Sequence, residues 1–468
     1  MSSSYDLIVL GGGGTGIAAA LRAAGYGART LLIEASRPGG ACVNWGCVPS
    51  KTLIDLASRY HARFPDQMPP PLPDLATWRA QIAAMRQASL EVFKRQVEAP
   101  LLAEDRITLL RGKGRFIAPN EIVVAGEHYR AEKILIACGG APRRLTLPGD
   151  GQIRPLTAYT ALGLRRCPAS LLILGGGVIA LEMGQLFARF GSKVTILERG
   201  SHFLPDFDPR LSTQLRLALE AEGVDFHFGV QTERIKRERG GVALHALKGG
   251  EKQIFHGDEL LTAVGTAPAI TDLNLSATDI ATDRGGFISV DATLRTSADG
   301  IWAAGDIIGA PLIAPAGVYE AEVAVDNMFG QSQRSVDHRC TPLSLFVEPE
   351  LASVGICAQQ AAEEKESLLE SYVDLADIAK SHIVGNPPGG MVLWADTNGG
   401  RLRGVQIFAP RAADIINEAV LALRHNLTVH DLAACSHTYP TIAVGLHLAA
   451  RRLVRTERTK GAPASFST

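Results

Sequence analysis

Two cysteines five residues apart, in the segment GGACVNWGCVPSK at 39–51, are the residues of this chain best suited to storing and releasing electrons. Five steps along a regular α-helix rise roughly 7.5 Å, beyond the ~7 Å Cα separation that a disulfide tolerates. Cys42 and Cys47 can therefore pair only across a distorted turn, and Gly39, Gly40 and Gly46 are expected to supply the backbone freedom for it. After Cys47, Pro49 suits a first helical turn and the following residues have helical apolar spacing. Cys47 then stands at a helix N-terminus, where the macrodipole and free N–H groups favour a thiolate. On spacing alone, two free thiols or two metal ligands fit as well.

The elements around this segment narrow the choice. Residues 7–10 are a short apolar run of the kind that forms a buried parallel strand. Gly11, Gly13 and Gly16 then fit G-x-G-x-x-G, followed by a helix over 17–24 and a strand over 30–33 that ends in Glu34. Such glycines let backbone approach a pyrophosphate at the helix N-terminus, and the acid accepts from a ribose hydroxyl. The same order returns at 171–198: a strand, Gly175 and Gly177 in G-x-G-x-x-A, a helix to Phe190, a strand over 193–197 and Glu198. Two complete fingerprints imply two dinucleotides. Glu198 accepts from a free 2′-hydroxyl and repels a 2′-phosphate, which for a nicotinamide cofactor would favour NADH over NADPH; the adjacent Arg199 is the residue that would argue for a phosphate.

The motif GGACVNWGCVPSK closely resembles the redox-active segment of the FAD-dependent pyridine nucleotide-disulfide oxidoreductases, the family of glutathione reductase, dihydrolipoamide dehydrogenase and mercuric reductase. The resemblance runs from Tyr5 to about Arg452. It implies an α/β fold of two Rossmann-like dinucleotide-binding domains plus a C-terminal α+β dimerisation domain. The expected division is 1–150 and 273–336 for FAD, 151–272 for NAD(P), and 337–468 for a dimer interface ending in a flexible tail from Thr456. It also implies a homodimer whose active site is shared across the interface, and a redox disulfide between Cys42 and Cys47. Cys47 would face the flavin and carry a charge-transfer thiolate, while Cys42 would meet the substrate. Gly40, Gly139, Gly265, Gly305 and Asp306 are implied cofactor contacts, Asp306 on the FAD ribityl chain. Lys51 is implied beside the flavin N5 edge, paired with Glu182. On the 178–190 helix, Glu182 lies beside an apolar stripe of Ile179, Met183, Leu186, Phe187 and Phe190, where a carboxylate needs a partner. Cys138 replaces the threonine usual in an A-T-G segment and reads as packing. The helix opening at Ala314 would point its N-terminus at the flavin pyrimidine.

Composition sets the outer limits. A chain of 468 residues has room for two to four domains, and a formal net charge of -1 gives no reason to expect nucleic acid or an anionic membrane as partner. Hydrophobic content of 46% with 48 glycines suits an α/β enzyme. Seven cysteines, scattered apart from the pair, do not form a secreted disulfide framework. The N-terminal residues lack the features of a signal peptide, and the best apolar window, 171–183, contains Glu182. A cytoplasmic, membrane-free enzyme is the expectation.

One departure from the family pattern bears on substrate. The disulfide reductases end with a histidine that acts as general acid and a glutamate five residues later that orients it; here Tyr439 and Val444 stand at those positions. A phenol titrating near pH ~10 is a poor proton shuttle at neutral pH. His437, two residues earlier, is a candidate substitute or a structural histidine. A metal ion needs no protonated leaving group, and Tyr439-x-Thr441 with the 445–450 segment resembles mercuric reductase, although the terminal cysteine pair of that enzyme is missing. Reduced Cys42 and Cys47 would be the metal's thiolate ligands. The alternatives are a reductase of an unusual thiol or C–S bond and a non-catalytic flavoprotein electron carrier.

Overall fold

The run Leu7–Leu10, buried at every residue, is the central strand of a five-stranded parallel sheet in the order 301–303, 134–136, 7–10, 30–34, 107–111. Burying one such aliphatic side chain contributes roughly 1.5–3 kcal/mol, so an unbroken apolar run is a strong reason to be central. A computed structural model describes residues 3–149, 153–238 and 240–461. The chain divides into two units, 1–60 with 72–168 and 259–338, and 61–71 with 169–258 and 339–468.

In the first unit, helix Gly14–Gly25 begins at the fingerprint, three residues earlier than the apolar spacing suggests. Its buried alanines, Ala19, Ala20 and Ala23, meet Ala321, Ala324 and Val325 of helix Ala314–Phe329. Small side chains let these two helices lie close, and Arg22 ties them by a 2.8 Å pair with Asp326. A second sheet joins Ser3–Tyr5, Glu127–Ala131, Glu121–Val124 and Arg115–Ala118. Helix Leu75–Phe93 opens on an Asp74 cap, whose carboxylate accepts from Thr77 N–H.

In the second unit, Ser170–Leu174, Lys193–Leu197 and Val224–His227 pair in parallel. An antiparallel meander of Val230–Glu238, Gly241–Lys248 and Glu251–Gly257 follows. The remainder is a five-stranded antiparallel sheet, ordered 343–345, 350–355, 402–409, 390–396, 368–374. Its Leu393, Val405 and Ile407 pack with Ile416 and Ala419 of helix Ala412–Arg424 and with Leu446, Ala449 and Leu453 of helix Val444–Gly461.

Two expectations are corrected. Ile179 does not belong to a buried stripe: it is 40% exposed, whereas helix Val178–Arg189 is buried all round from Ala180 onward. A helix covered on every side has no single apolar face for spacing to reveal. The tail expected to be flexible from Thr456 is helical as far as Gly461, since nothing before that glycine breaks the helix and its last turns are rich in Arg and Lys. Residues 462–468 lie outside the described residues. Among the described residues, no helix is long and apolar enough to cross a membrane.

Candidate active site

Cys42 lies within a one-turn helix, Gly40–Asn44, and Cys47 is the first residue of helix Cys47–His61. Between them the chain folds back: Trp45 N–H and Gly46 N–H both donate to Ala41 O, at 2.9 and 2.6 Å. This is the distorted turn the spacing requires. The glycines do different work in it. Gly39 and Gly40 have φ of 91° and 58°, but Gly46 is absent from the left-handed region; its role is close approach, because a Cβ there would lie 3.1 Å from Ala41 O. Asn44 closes the loop, its side-chain amide donating to Pro38 O and Gly40 O at 3.0 and 2.9 Å.

Both cysteines are thiols here. A hydrogen bond to Cys47, then burial and the charge of Cys47, push the Cys42 thiol up, while Lys51 opposes them. Cys42 therefore keeps the shared proton, and the helix N-terminus favours negative charge on Cys47. Lys51 stands one turn beyond Cys47 on the same helix face.

The loop rests directly on the first fingerprint. Gly39 N–H donates to Gly12 O at 2.8 Å, Gly39 pairs with Gly13, and a Cβ on Gly40 would fall 2.7 Å from Gly13 Cα. The Glu34 carboxylate accepts from Gly12 N–H at 2.7 Å and Ser36 N–H at 2.6 Å. Within the fingerprint a Cβ at Gly16 would lie 1.8 Å from Gly11 O, whereas one at Gly14 would meet nothing within 4 Å. That open space lies before the free N–H groups of a helix start, which fits the pyrophosphate of a dinucleotide, the role FAD would take in the family this motif resembles. Gly139 and Gly265 likewise have positive φ with open space around them, at the ends of the paired segments Gly140–Pro142 and Thr266–Pro268.

Asp306 follows strand Ile301–Ala303, and burial raises its carboxyl above the usual range. Its side chain lies against the same segment: a Cβ on Gly140 would be 3.4 Å from Asp306 Cβ. Nothing in its local sequence marks Tyr159 as part of this site. Its ring packs on the turn between the cysteines, 3.7 Å from where a Gly46 Cβ would stand. Burial and the charges of Asp306, Cys47 and Cys42 raise its phenol, so it stays protonated beside the pair. Cys138 donates to Leu10 O at 3.3 Å, and burial pushes its thiol up to about 12, as a packing role requires.

The second unit repeats the fingerprint geometry. Glu198 accepts from Gly176 N–H at 2.6 Å and Gly200 N–H at 2.5 Å, the same offsets of 22 residues back and 2 forward that Glu34 shows. Gly175 has φ of 103° and a Cβ on Gly177 would meet nothing within 4 Å, so this turn also fits a pyrophosphate. Arg199 is exposed. Glu182 is 3% exposed and accepts from Phe346 N–H at 3.0 Å, a contact that periodicity cannot reveal. Tyr439 is 72% exposed. His437 is nearly buried between Glu418, 3.0 Å from its Nε2, and Cys435 O, 3.3 Å from its Nδ1, with the His447 ring 5.2 Å away.

Residues 5–325 match the family described as pyridine nucleotide-disulphide oxidoreductase, and residues 341–450 match its dimerisation domain. The chain is 31% identical over 452 residues to a mercuric reductase of Lysinibacillus sphaericus, covering 96% of this chain and 82% of that protein. It is 33% identical over 461 residues to a dihydrolipoyl dehydrogenase of Thermus scotoductus, covering 96% and 97%. Among solved structures it resembles the HOCl-induced flavoprotein disulfide reductase RclA from Escherichia coli, with a TM-score of 0.86 at 28% identity over 96% of this chain and 99% of that one. The Cu(II) complex of RclA gives 0.86 at 27% identity, over 96% and 100%. These matches span both fingerprints, the cysteine pair and the C-terminal sheet, and the chain belongs to the pyridine nucleotide-disulphide oxidoreductase family.

Proposed function

We propose that this chain is a homodimeric NADH-dependent metal-ion reductase, with Hg²⁺ as the favoured substrate. Bound FAD supplies the relay of two electrons from the nicotinamide to the Cys42–Cys47 disulfide. The overall reaction balances as NADH + Hg²⁺ giving NAD⁺, Hg⁰ and H⁺. Segments 1–150 and 273–336 hold FAD, 151–272 holds the nicotinamide through Glu198, and 337–468 forms the dimer.

The protein's own groups have distinct parts in this reading. Cys47 carries the negative charge at its helix N-terminus, and Cys42 carries the proton and meets the metal. Lys51, one turn on, offsets that charge, and Tyr159 stays protonated in the same neighbourhood. Soft thiolates suit a soft metal ion.

The observation that carries the reading is the exposed Tyr439 at the position where disulfide reductases need an imidazole, with Val444 where they need a carboxylate. A metal ion leaves no thiol to protonate. The mercuric reductases among the relatives and the Cu(II) complex of RclA support a metal-ion substrate. Counting accessible thiols in the anaerobic holoenzyme tests the electron route: NADH should expose two further thiols per chain, Hg²⁺ should consume them, and Cys42→Ala should show neither change. A pair that NADH leaves oxidised would refute the route.

A second reading, reduction of a specialised disulfide, is favoured by one contact. His437 and Glu418 form a histidine–glutamate pair from other positions than the family's.

A further inference from the structure

Glu320 is the most deeply buried carboxylate near the FAD-binding turn, at 1% exposed, and nothing in its local sequence marks it. It sits in the second turn of helix Ala314–Phe329, and its Oε2 accepts from Gly305 N–H at 2.6 Å. Its Oε1 lies 3.0 Å from His338 Nε2. We propose that Glu320 is a positioning residue for FAD: it holds the Gly305–Asp306 turn in its binding conformation, and its ionisation, shared with His338, makes FAD retention sensitive to pH.

The turn needs such an anchor. Gly305 has φ 80° and ψ −162°, a conformation that side-chain-bearing residues avoid. It is also pressed into place from the other side: a Cβ on Gly305 would fall 2.7 Å from Thr15 Oγ1, and one on Gly317 only 2.4 Å from the same atom. Thr15 belongs to the helix start where the pyrophosphate fits. A displacement at Gly305 therefore reaches both Asp306 and the phosphate cradle.

The charge on Glu320 matters because of what faces it. Asp306, on the turn itself, carries a second carboxylate whose charge raises Glu320, and burial does so more strongly, up to about 7. His338 comes from the 338–340 segment; burial pushes it below its ordinary value, against the raising effect of Asp337. Tyr319, on the same helix, presents its ring edge to His338 at 6.3 Å and accepts from Asp337 N–H at 3.2 Å. Around neutral pH, Glu320 is the group that changes charge. Its ionised form puts a negative charge behind a turn that already has Asp306 and must accept an anionic dinucleotide. By linkage, FAD then binds more tightly to the protonated form.

This inference rests on FAD binding at the first fingerprint and not on the identity of the electron acceptor. Its test is the rate of FAD release from the holoenzyme, read by recovery of free-flavin fluorescence between pH 5.5 and 8.5, with neither NADH nor metal present. Wild type should release FAD roughly fivefold faster or more at the alkaline end, the lower range of site-to-site coupling. Glu320→Gln keeps an oxygen for Gly305 N–H but cannot ionise, so the step should disappear while release stays slow. Glu320→Ala should release FAD rapidly at every pH, and His338→Gln should move the midpoint. A pH step unchanged in Glu320→Gln, or wild-type retention in Glu320→Ala, would overturn the proposal.

Discussion

Gly40 and Gly13 touch so closely that the loop bearing the cysteines is seated on the nucleotide fingerprint: a Cβ on Gly40 would lie 2.7 Å from Gly13 Cα. Electron storage and cofactor binding thus share one piece of backbone. The geometry joins positions 27 residues apart, and it does so because Gly40 has no side chain.

Gly40→Ala tests that contact. At φ 58° an alanine costs about 1–2 kcal/mol from backbone conformation alone, and the clash adds to it. Gly27→Ala is the control, with φ 84° but nothing within 4 Å of its Cβ. Gly40→Ala should lose bound FAD and lower Tm more than Gly27→Ala. Equal effects on Tm and FAD content would mean that the seat is unimportant.

Glu320 also predicts a stability trend. Its carboxyl is pushed up to about 7 in the folded chain, against ~4.3 in an unfolded one. Between those values the folded state holds a proton that the unfolded state has lost, so the Glu320 contribution to stability falls as pH rises. His338 has the opposite sign, since burial depresses its folded value and stability is regained as pH rises from that value toward ~6.5. The difference in Tm between wild type and Glu320→Gln isolates the glutamate. It should become less favourable to wild type from pH 5 to pH 8, and a flat difference would contradict the assignment.

Glu198 should decide the nicotinamide. Removing a charged acceptor costs about 1.5–3 kcal/mol where the hydrogen bond to ribose is made. Glu198→Ala should therefore lower kcat/KM for NADH at least tenfold and change that for NADPH far less. A larger loss with NADPH would reverse the preference.

The His437–Glu418 contact should be structural. His437→Asn is expected to lower stability by about 1 kcal/mol and to change metal-dependent kcat by less than about threefold. A large loss confined to disulfide substrates would instead favour the second reading.

Much of this site could be read from the chain because its signals are local. Each fingerprint and its acid fall within about two dozen residues, and Glu34 and Glu198 indeed bind the glycine turns that precede them. The cysteine turn was also legible, although Gly46 serves close approach and not a left-handed φ. What could not be read depends on distant partners. Tyr159 reaches the Gly46 turn from more than a hundred residues away, Glu182 finds Phe346, and Glu320 finds both Gly305 and His338. The all-round burial of helix Val178–Arg189 likewise removed the one-sided pattern that spacing arguments need.

In the proposed reaction, electrons leave through Cys42 and Cys47 to a metal ion. The most direct measurement is NADH oxidation by the FAD-loaded protein with Hg²⁺ and excess small thiol, in parallel with oxidised glutathione and lipoamide, for wild type and Cys42→Ala. Turnover should depend on the metal and be abolished by Cys42→Ala, with little activity on either disulfide. Efficient turnover of a disulfide without any response to Hg²⁺, or metal turnover that survives Cys42→Ala, would contradict it.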